Sequence, residues 1–390
     1  MLNTNYIEKL IGLKDVIVKK IENFDKSKHI YIELKIKPQT CPQCGHTTKY
    51  IHDYRMQKVK DIDISGVHTY LFLNKRRYVC PHCGKKFQEE NTFLGKYQRA
   101  TNRLLRHIIE LLRDCKTMKQ VAKETNYSSV SVARMFQIVS YGKPKLPRVI
   151  GIDEFRGNSG GEKFNCILTN PKKHKLLDIM PKRNTEELHK YFSQFSNRDQ
   201  VEVVTMDLSV LFKSVVNAAF PKAAIVADKY HVQRLAQWAF ENVRKRIQKE
   251  LYQESRIKMK HSRRLLLKRK SKLSREEVLE VARLLRYSKE LGEAYYLKEK
   301  FMDFIHSENI YEAQRRLKEW SMHAMVCDIK EFESLRTTLI NWKTEILNMF
   351  IYKVSNGFTE GCNNKIKVLK RISYGNRNFD NFRNRILHLT

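Results

Sequence analysis

The chain has 390 residues, and its 75 Lys and Arg residues against 42 Asp and Glu residues give a formal net charge of +33 and a pI of about 9.8. That excess favours a polyanionic partner, most often nucleic acid, although ribosomal and membrane-surface proteins share it. No apolar run approaches the roughly 18 residues of a membrane span, and the N-terminus lacks a signal-peptide core. We therefore expect two or three domains in a cytoplasmic protein without membrane association, whose cysteines are thiols or metal ligands.

Two copies of the motif CPxCG lie in the predicted N-terminal region, residues 1–95. Their cysteines are Cys41, Cys44, Cys80 and Cys83. Each knuckle aims two thiolates at one ion, and the glycine that follows permits a left-handed turn. With a strand predicted at Thr69–Val79, the pattern indicates a zinc ribbon with one structural Zn²⁺, in which the metal replaces a core too small to form alone. Two unrelated exposed cysteine pairs, or a redox-active pair, are the alternatives.

Residues 96–140 are predicted to form a helix-turn-helix domain. An apolar face from Leu104 to Leu112 indicates a first helix, Met118–Thr125 a second, and Ser128–Val139 a third that begins with serine caps. In this arrangement the last helix enters the major groove of DNA. Its exposed face would carry Ser129, Ser131, Arg134 and Gln137. A plain three-helix bundle is the alternative, and the prolines of Tyr141–Pro147 predict a linker.

From residue 148 the pattern changes to strands separated by helices. Strands are predicted at Arg148–Phe155, Lys163–Thr169, Lys175–Met180, Val201–Met206 and Ala223–Ala227, and helices at Thr185–Phe195 and Val210–Ala219. Asp153 and Asp207 lie in two of the apolar strand-like runs. For either aspartate taken singly, a strand-end cap or a turn residue is the favoured interpretation, and only together with Glu360 do they indicate a metal site.

Two further polar residues, Asp228 and His231, follow the last of these strands. His231 could contact a phosphate or orient a water molecule while Asp228 holds its tautomer. Local hydrogen bonds that shape the strand end are an equal alternative.

Residues 232–350 contain no proline and are predicted to form a helical insertion. Within them Arg244–Arg275 carries fourteen Lys or Arg residues against two Glu, which favours contact with phosphates over a plain solvated face. We predict that all three tryptophans, Trp238, Trp320 and Trp342, pack in the core. Stacking of one of them on an unpaired base is the alternative.

The C-terminal segment, residues 351–390, places Glu360 at the head of a basic helical run. The positions predicted to bind DNA are Asn364, Lys365, Lys367, Lys370 and Arg371. One acid on a late helix and two aspartates on strand ends supply the carboxylate oxygens that a two-metal site for phosphoryl transfer requires.

Several blocks, taken in order, resemble those of the ISL3 family of bacterial insertion-sequence transposases. They are GIDEF, MDLS, ADKYHV and EGCNNKIKVLKRISYGNRNF. The resemblance runs from about Cys41 to the C-terminus. It implies a multidomain α+β/α/β chain with a zinc ribbon, a helix-turn-helix and a ribonuclease-H-like mixed sheet that a large all-helical insertion interrupts. Residues 148–231 would form the first part of the catalytic core, and residues 351–390 would supply its final, Glu-bearing helix.

The resemblance also implies a mechanism and partners. Asp153, Asp207 and Glu360 would hold two Mg²⁺ or Mn²⁺ ions, and Asp228 and His231 match a C/DxxH signature that several DDE transposase families carry. The substrate would be double-stranded DNA, both transposon ends and target, held in a homodimer or a larger synaptic complex at the bacterial nucleoid. A zinc-ribbon and helix-turn-helix regulator, a degenerate transposase that only binds DNA, and a ribonuclease-H-like nuclease or resolvase are the alternatives.

Overall fold

The computed structural model describes residues 11–373 and 378–389. The chain divides into two compact units, Met1–Tyr141 and Gly142–His388. Residues 374–377, which belong to the C-terminal motif, and the first ten residues lie outside the described part. The finer domain boundaries predicted from the sequence stay predictions.

The first unit is built on a five-stranded sheet. Its strands and those of a small hairpin are β1 (Val16–Phe24), β2 (Ser27–Leu34), β3 (Gln39–Thr40), β4 (Thr47–Thr48), β5 (Ile51–Ile64), β6 (Val67–Val79) and β7 (Lys86–Gln88). The order is β1-β2-β6-β5, with β7 on β6, and β2 and β6 run parallel. Ser65 and Gly66 join β5 to β6 with φ of 59° and 76°, as the favoured two-residue hairpin turn requires.

One face of this sheet buries an apolar core of its own. Val59, Leu71 and Leu73 have no exposed surface, and Ile30 and Ile32 of β2 are almost as fully buried. The expectation that the metal replaces a core too small to form alone is therefore wrong for this region. The sequence pattern indicates only one of the five strands, Thr69–Val79, and so underestimates the apolar area that the sheet buries.

Three helices complete the first unit: α1 (Asn102–Leu111), α2 (Met118–Glu124) and α3 (Ser129–Phe136). Each begins at a side-chain cap, namely Thr101, Thr117 and Ser128. The third helix ends at Phe136 and not at the predicted Val139. The N–H of Val139 bonds to the carbonyl three residues back, so the last turn tightens and the α-helix stops.

The second unit contains a mixed sheet in the ribonuclease-H-like order β10-β9-β8-β11-β12. The strands are β8 (Val149–Phe155), β9 (Asn165–Asn170), β10 (Lys175–Met180), β11 (Val203–Met206) and β12 (Ala224–Ala227). β8, β9 and β10 pair antiparallel, whereas β11 pairs parallel with both β8 and β12. The strand predicted at Val201–Met206 begins two residues late, because Val201 ends a short 3₁₀ turn.

Two helices of the second unit lie between strands of this sheet in the sequence, and the others follow β12. They are α4 (Thr185–Ser193), α5 (Val210–Ala219), α6 (Lys229–Glu250), α7 (Gln253–His261), α8 (Arg263–Leu267), α9 (Arg275–Leu285), α10 (Lys289–Ile305), α11 (Ile310–Cys327), α12 (Lys330–Asn341), α13 (Lys343–Tyr352), α14 (Gly357–Ile372) and α15 (Phe379–Leu387). The helical insertion predicted from the sequence is confirmed. In the described part of the chain, no helix is both long and apolar enough to cross a bilayer.

The prediction of three core tryptophans is wrong for one of them. Trp320 and Trp342 are buried, and the indole N–H of Trp320 donates to the Leu297 carbonyl over 2.9 Å. Trp238 on α6 is 49% exposed, with the guanidinium of Arg234 lying 4.3 Å from its ring centroid. A helical pattern gives the faces of α6 but not which of them a neighbouring helix covers.

Some cations of the basic run from Arg244 to Arg275 pair with acids of the same unit, although the composition of the run indicates unpaired charges. Arg244 is buried against Glu241, and Arg246 pairs with both Glu290 and Glu331. These acids lie outside the run, on α6, α10 and α12, so a count within the run misses them. Contact with phosphates stays a prediction for the exposed cations of the run.

Candidate active site

Three aspartates lie at corresponding levels of three neighbouring strands. Thr205 of β11 pairs with Gly151 of β8, so Asp153 and Asp207 each lie two residues beyond a paired position. The last pair of β11 and β12 directly precedes Asp207 and Asp228. Because parallel strands end at the same edge of a sheet, this order brings the carboxyl groups to one edge.

His231 lies between two of these carboxylates. Its Nδ1 is 2.8 Å from Oδ2 of Asp228, with which it hydrogen-bonds, and 2.9 Å from Oδ1 of Asp207. Asp207 and then Asp228 raise the pKa of His231 to about 10. The imidazolium therefore supplies positive charge to the cluster. Because its Nδ1 hydrogen-bonds to Asp228, the buried Oδ1 of Asp207 receives no hydrogen bond from the described residues, although it lies 2.9 Å from the same nitrogen.

Asp153 is the most buried of the three acids predicted to bind metal. It is 5% exposed, and burial, followed by the charge of Asp207, raises its pKa to about 7. The main-chain N–H of Glu154 donates to Oδ1 over 2.7 Å, and the side-chain amide of Asn363 donates to Oδ2 over 2.8 Å. Two donors orient the carboxyl group, but no cation of the protein pairs with it within the described chain.

The helix that carries Glu360 packs closely on β8 because Gly151 has no side chain. A Cβ atom there would lie 2.6 Å from Oγ1 of Thr169 and 2.9 Å from Oδ1 of Asn356. The hydroxyls of Thr169 and Thr359 are 2.8 Å apart, and Thr205 donates to Asn356 over 3.2 Å. These bonds fix the first turn of α14 on the sheet.

Glu360 itself lies in that first turn and is partly buried. Burial, then the charge of Asp228, raises its pKa, while His231 and Arg234 act in the opposite direction. Glu360 thus shares the electrostatic field of the strand-end acids. The structure brings the ligand atoms of Asp207, Asp228 and His231 within 4.8 Å of one another; within the described residues, neither Asp153 nor Glu360 belongs to such a group.

The carboxylates at this edge fit a divalent cation. They are oxygen donors, as Mg²⁺ and Mn²⁺ prefer, and burial with mutual repulsion raises the pKa of both Asp153 and Glu360. A bound cation would relieve that repulsion and satisfy the buried oxygen of Asp207. Asp228 is less available, because it caps α6 through the N–H of His231.

The four cysteines of the first unit also converge. All four sulfur atoms lie within 4.8 Å of one another, with Cys41 and Cys83 3.6 Å apart and Cys44 and Cys80 3.5 Å apart. A tetrahedral zinc ion with Zn–S bonds near 2.3 Å requires S–S separations of about 3.8 Å. The sulfur atoms thus fit one Zn²⁺.

The residues predicted to contact DNA differ in how they are placed. On α3, Ser129 and Arg134 are exposed and Gln137 follows the helix end, but the hydroxyl of Ser131 bonds to that of Ser128, which caps the helix. Of the five positions on α14 predicted to bind DNA, four are exposed, namely Asn364, Lys365, Lys367 and Arg371. The ammonium of Lys370 donates to the carbonyl of Arg156 over 2.6 Å.

Sequence reasoning missed Asn356, Thr359 and Asn363, which join α14 to the sheet. A signal was present, because buried polar residues in the first turns of an amphipathic helix require partners. Only the fold identifies those partners.

Three family models match this chain. A model described as "Transposase", for the DDE domain of ISL3 elements, matches residues 150–386. A zinc finger of transposases IS204/IS1001/IS1096/IS1165 matches residues 37–83, and a helix-turn-helix domain of transposase family ISL3 matches residues 89–137. The chain is also 26% identical over 395 residues to the transposase for insertion sequence element IS1001 of Bordetella parapertussis, covering 98% of this chain and 97% of that protein.

Proposed function

Because this chain belongs to the ISL3 family of transposases, we propose that it binds the terminal inverted repeats of an insertion sequence and catalyses metal-dependent DNA strand cleavage and strand transfer. The observation that carries the proposal is the single sheet edge with Asp153 and Asp207, against which Gly151 lets the helix of Glu360 pack. A DNA-binding regulator has no need for acids held in this way.

Asp153, Asp207 and Glu360 hold two Mg²⁺ or Mn²⁺ ions in this proposal. Bound there, the ions supply activation of the attacking water or 3′-hydroxyl and stabilisation of the leaving 3′-oxygen. The chain's own residues orient the ligands: Asn363 fixes the Asp153 carboxyl group, and the close contact at Gly151 sets the position of Glu360.

His231 contacts the scissile phosphate or orients the attacking water, and Asp228 holds its ring. The 2.8 Å bond between them supports this role. In His231→Gln we expect slower cleavage while binding to end DNA is retained. An equal loss of thermal stability and activity would instead indicate a local structural role.

The zinc ribbon and α3 read the inverted repeats, with Arg134 and Gln137 facing the bases. The exposed cations of α14 bind phosphates along the helix that begins near Glu360. Two ends must be joined, so the working form is a homodimer or a larger synaptic complex.

The deciding experiment compares wild type with Glu360→Gln on DNA that carries the element's own ends. With Mg²⁺, we expect cleavage and strand-transfer products from the wild type only, while both proteins bind the ends. Tight end binding without product from either protein would indicate a degenerate transposase or a regulator. Product from Glu360→Gln at the wild-type rate would exclude Glu360 as a metal ligand.

A further inference from the structure

A groove of about 780 Å³ lies on the first unit, between the β5–β6 hairpin and the turn that precedes α3. Its lining combines five cations with three tyrosines and, among the described residues, no Asp or Glu. The cations are Arg55, Lys58, Lys60, Lys75 and Arg99. We propose that this groove, hereafter the hairpin groove, binds the sugar-phosphate backbone of the duplex that α3 reads.

Three acids near the hairpin groove form ion pairs with cations that do not line it. Asp53 pairs with Arg77, and Glu89 pairs with Arg76 over 3.1 Å in the buried part of the sheet. Asp61 pairs with Arg103. Within the described residues, none of the five groove cations forms an ion pair, so the groove keeps its positive charge for an external anion.

The cations are also crowded against one another. Arg55 and Lys75 are direct cross-strand partners on β5 and β6, a like-charge pairing that destabilises a sheet unless an anion lies between the charges. Burial lowers the pKa of Lys75, and burial together with the charge of Lys58 lowers the pKa of Lys60. A phosphate in the groove would relieve both effects.

The tyrosines hold the lysines in place. The ammonium of Lys58 lies 4.1 Å from the ring centroid of Tyr70, and that of Lys60 lies 4.0 Å from the ring centroid of Tyr127. Ammonium groups cover these two ring faces, so the covered faces are not available for stacking on bases. The third tyrosine, Tyr97, is 91% exposed and could contact one base at most, whereas five cations line the groove. The hairpin groove therefore suits backbone phosphates better than unpaired nucleobases.

The hairpin groove adjoins the turn that leads to α3. Lys60 donates to the carbonyl of Asn126, and the side-chain amide of Asn126 donates to the hydroxyl of Tyr70 over 2.9 Å. Asn126 and Tyr127 form the turn that leads to α3, whose N-terminal residues would face the bases. A duplex read by α3 thus passes beside these lysines, and such phosphate contacts fix its register.

The inference rests on the proposed function in that its partner is end DNA. The test uses the full-length protein and the triple variant Arg55→Gln/Lys58→Gln/Lys75→Gln. We expect weaker binding to end DNA and to a scrambled duplex alike, with the slope of log K against log salt reduced in magnitude by about 2 to 3. Without DNA, the variant should be about as stable as wild type, because loss of the Arg55–Lys75 repulsion offsets loss of the Lys58–Tyr70 contact.

The matched control replaces three exposed lysines of the same unit outside both the groove and the zinc ribbon, Lys14, Lys26 and Lys35, by Gln. Its salt slope should stay within about 1 of wild type. If wild type binds the ends and the groove variant has the same slope of log K against log salt, the proposal that the hairpin groove binds DNA is wrong, while the proposed function stands. Failure of the wild type to bind end DNA would overturn the proposed function as well.

Discussion

The side-chain amide of Asn363 donates to Oδ2 of Asp153 over 2.8 Å, across a sequence separation of 210 residues. Asn363 lies one helical turn beyond Glu360 on α14, and Asp153 lies on the central strand β8. The bond therefore couples the orientation of one proposed metal ligand to the position of the helix that carries another. Residues that orient ligands in this way control metal affinity nearly as strongly as the ligands themselves.

Replacing Asn363 by Ala should weaken Mg²⁺ binding and lower strand cleavage by about 10- to 100-fold, because Asp153 loses its side-chain donor. Titration calorimetry with Mg²⁺ and a cleavage assay on end DNA measure the two effects. Val368→Ala, at an exposed position of the same helix, is the matched control and should change Mg²⁺ affinity less than twofold. Wild-type Mg²⁺ affinity in Asn363→Ala would show that the bond does not position the carboxylate.

Replacing Gly151 by Ala should push α14 away from β8. The new Cβ would lie 2.6 Å from Oγ1 of Thr169 on β9, and 2.9 Å and 3.0 Å from Oδ1 of Asn356 and Oγ1 of Thr359 at the start of α14. We therefore expect a loss of about 1–3 kcal/mol in the free energy of unfolding, together with reduced cleavage. Thr169→Ala in the Gly151→Ala background removes the closest atom and should restore part of the activity.

Denaturant titrations measure the stability change. The control is Gly292→Ala on α10, where no atom lies within 4 Å of a built Cβ and alanine is the better helix former. It should stabilise the protein by up to about 1 kcal/mol. A Gly151→Ala protein with full stability and activity would contradict the close packing of α14.

The raised pKa of Asp153 predicts a specific pH dependence in the absence of divalent ions. The carboxyl group has a pKa of about 7 in the folded chain and an ordinary pKa of 3.8, so folding takes up a proton between these two pH values. The resulting stabilisation is complete below the lower pKa and is lost as the pH rises through about 7.

Relative to Asp153→Asn, the free energy of unfolding of the wild type should therefore fall by about 2–3 kcal/mol between pH 5 and pH 8. Urea denaturation of both proteins in buffer without Mg²⁺ or Mn²⁺ measures this difference. Addition of Mg²⁺ at pH 8 should recover stability in the wild type and not in the variant. Parallel pH profiles would show that Asp153 titrates in its ordinary range.

Sequence patterns located the strands of the second unit because those strands are short, apolar and bounded by turns. Asp153 and Asp207 were noticed for the same reason, as acids inside or beside apolar runs. Their proximity could not be derived from the sequence, where they lie 54 positions apart, since it depends on the parallel pairing of β8 with β11. The resemblance to a known family supplied that pairing.

The features that escaped prediction share a physical cause, which is that they depend on long-range contacts. The parallel pairing of β2 with β6 has no local signature, so the sheet of the first unit was not expected. The acids that neutralise Arg246 come from 44 and 85 residues away. Trp238 is 49% exposed although its position in the helical pattern resembles that of a core residue, because the packing of other helices on α6 decides its burial.

Removal of zinc should loosen the knuckles without unfolding the sheet of the first unit. Leu71 and Leu73 are fully buried in an apolar core that the metal does not touch, whereas Cys44 lies at the exposed end of its knuckle. In Cys44→Ser we expect loss of the bound zinc and fast hydrogen exchange at residues 39–48 and 80–88. The amides of β6 around Leu71 should keep their protection, because the energy of opening them comes from apolar burial.

Metal analysis and hydrogen exchange followed by mass spectrometry provide the two readouts, with one zinc per chain expected in the wild type. Cys115→Ser, at a cysteine outside the four-sulfur cluster, is the matched control and should retain its zinc. Global unfolding of the first unit in Cys44→Ser would show that the metal, and not the apolar face of the sheet, holds this unit together.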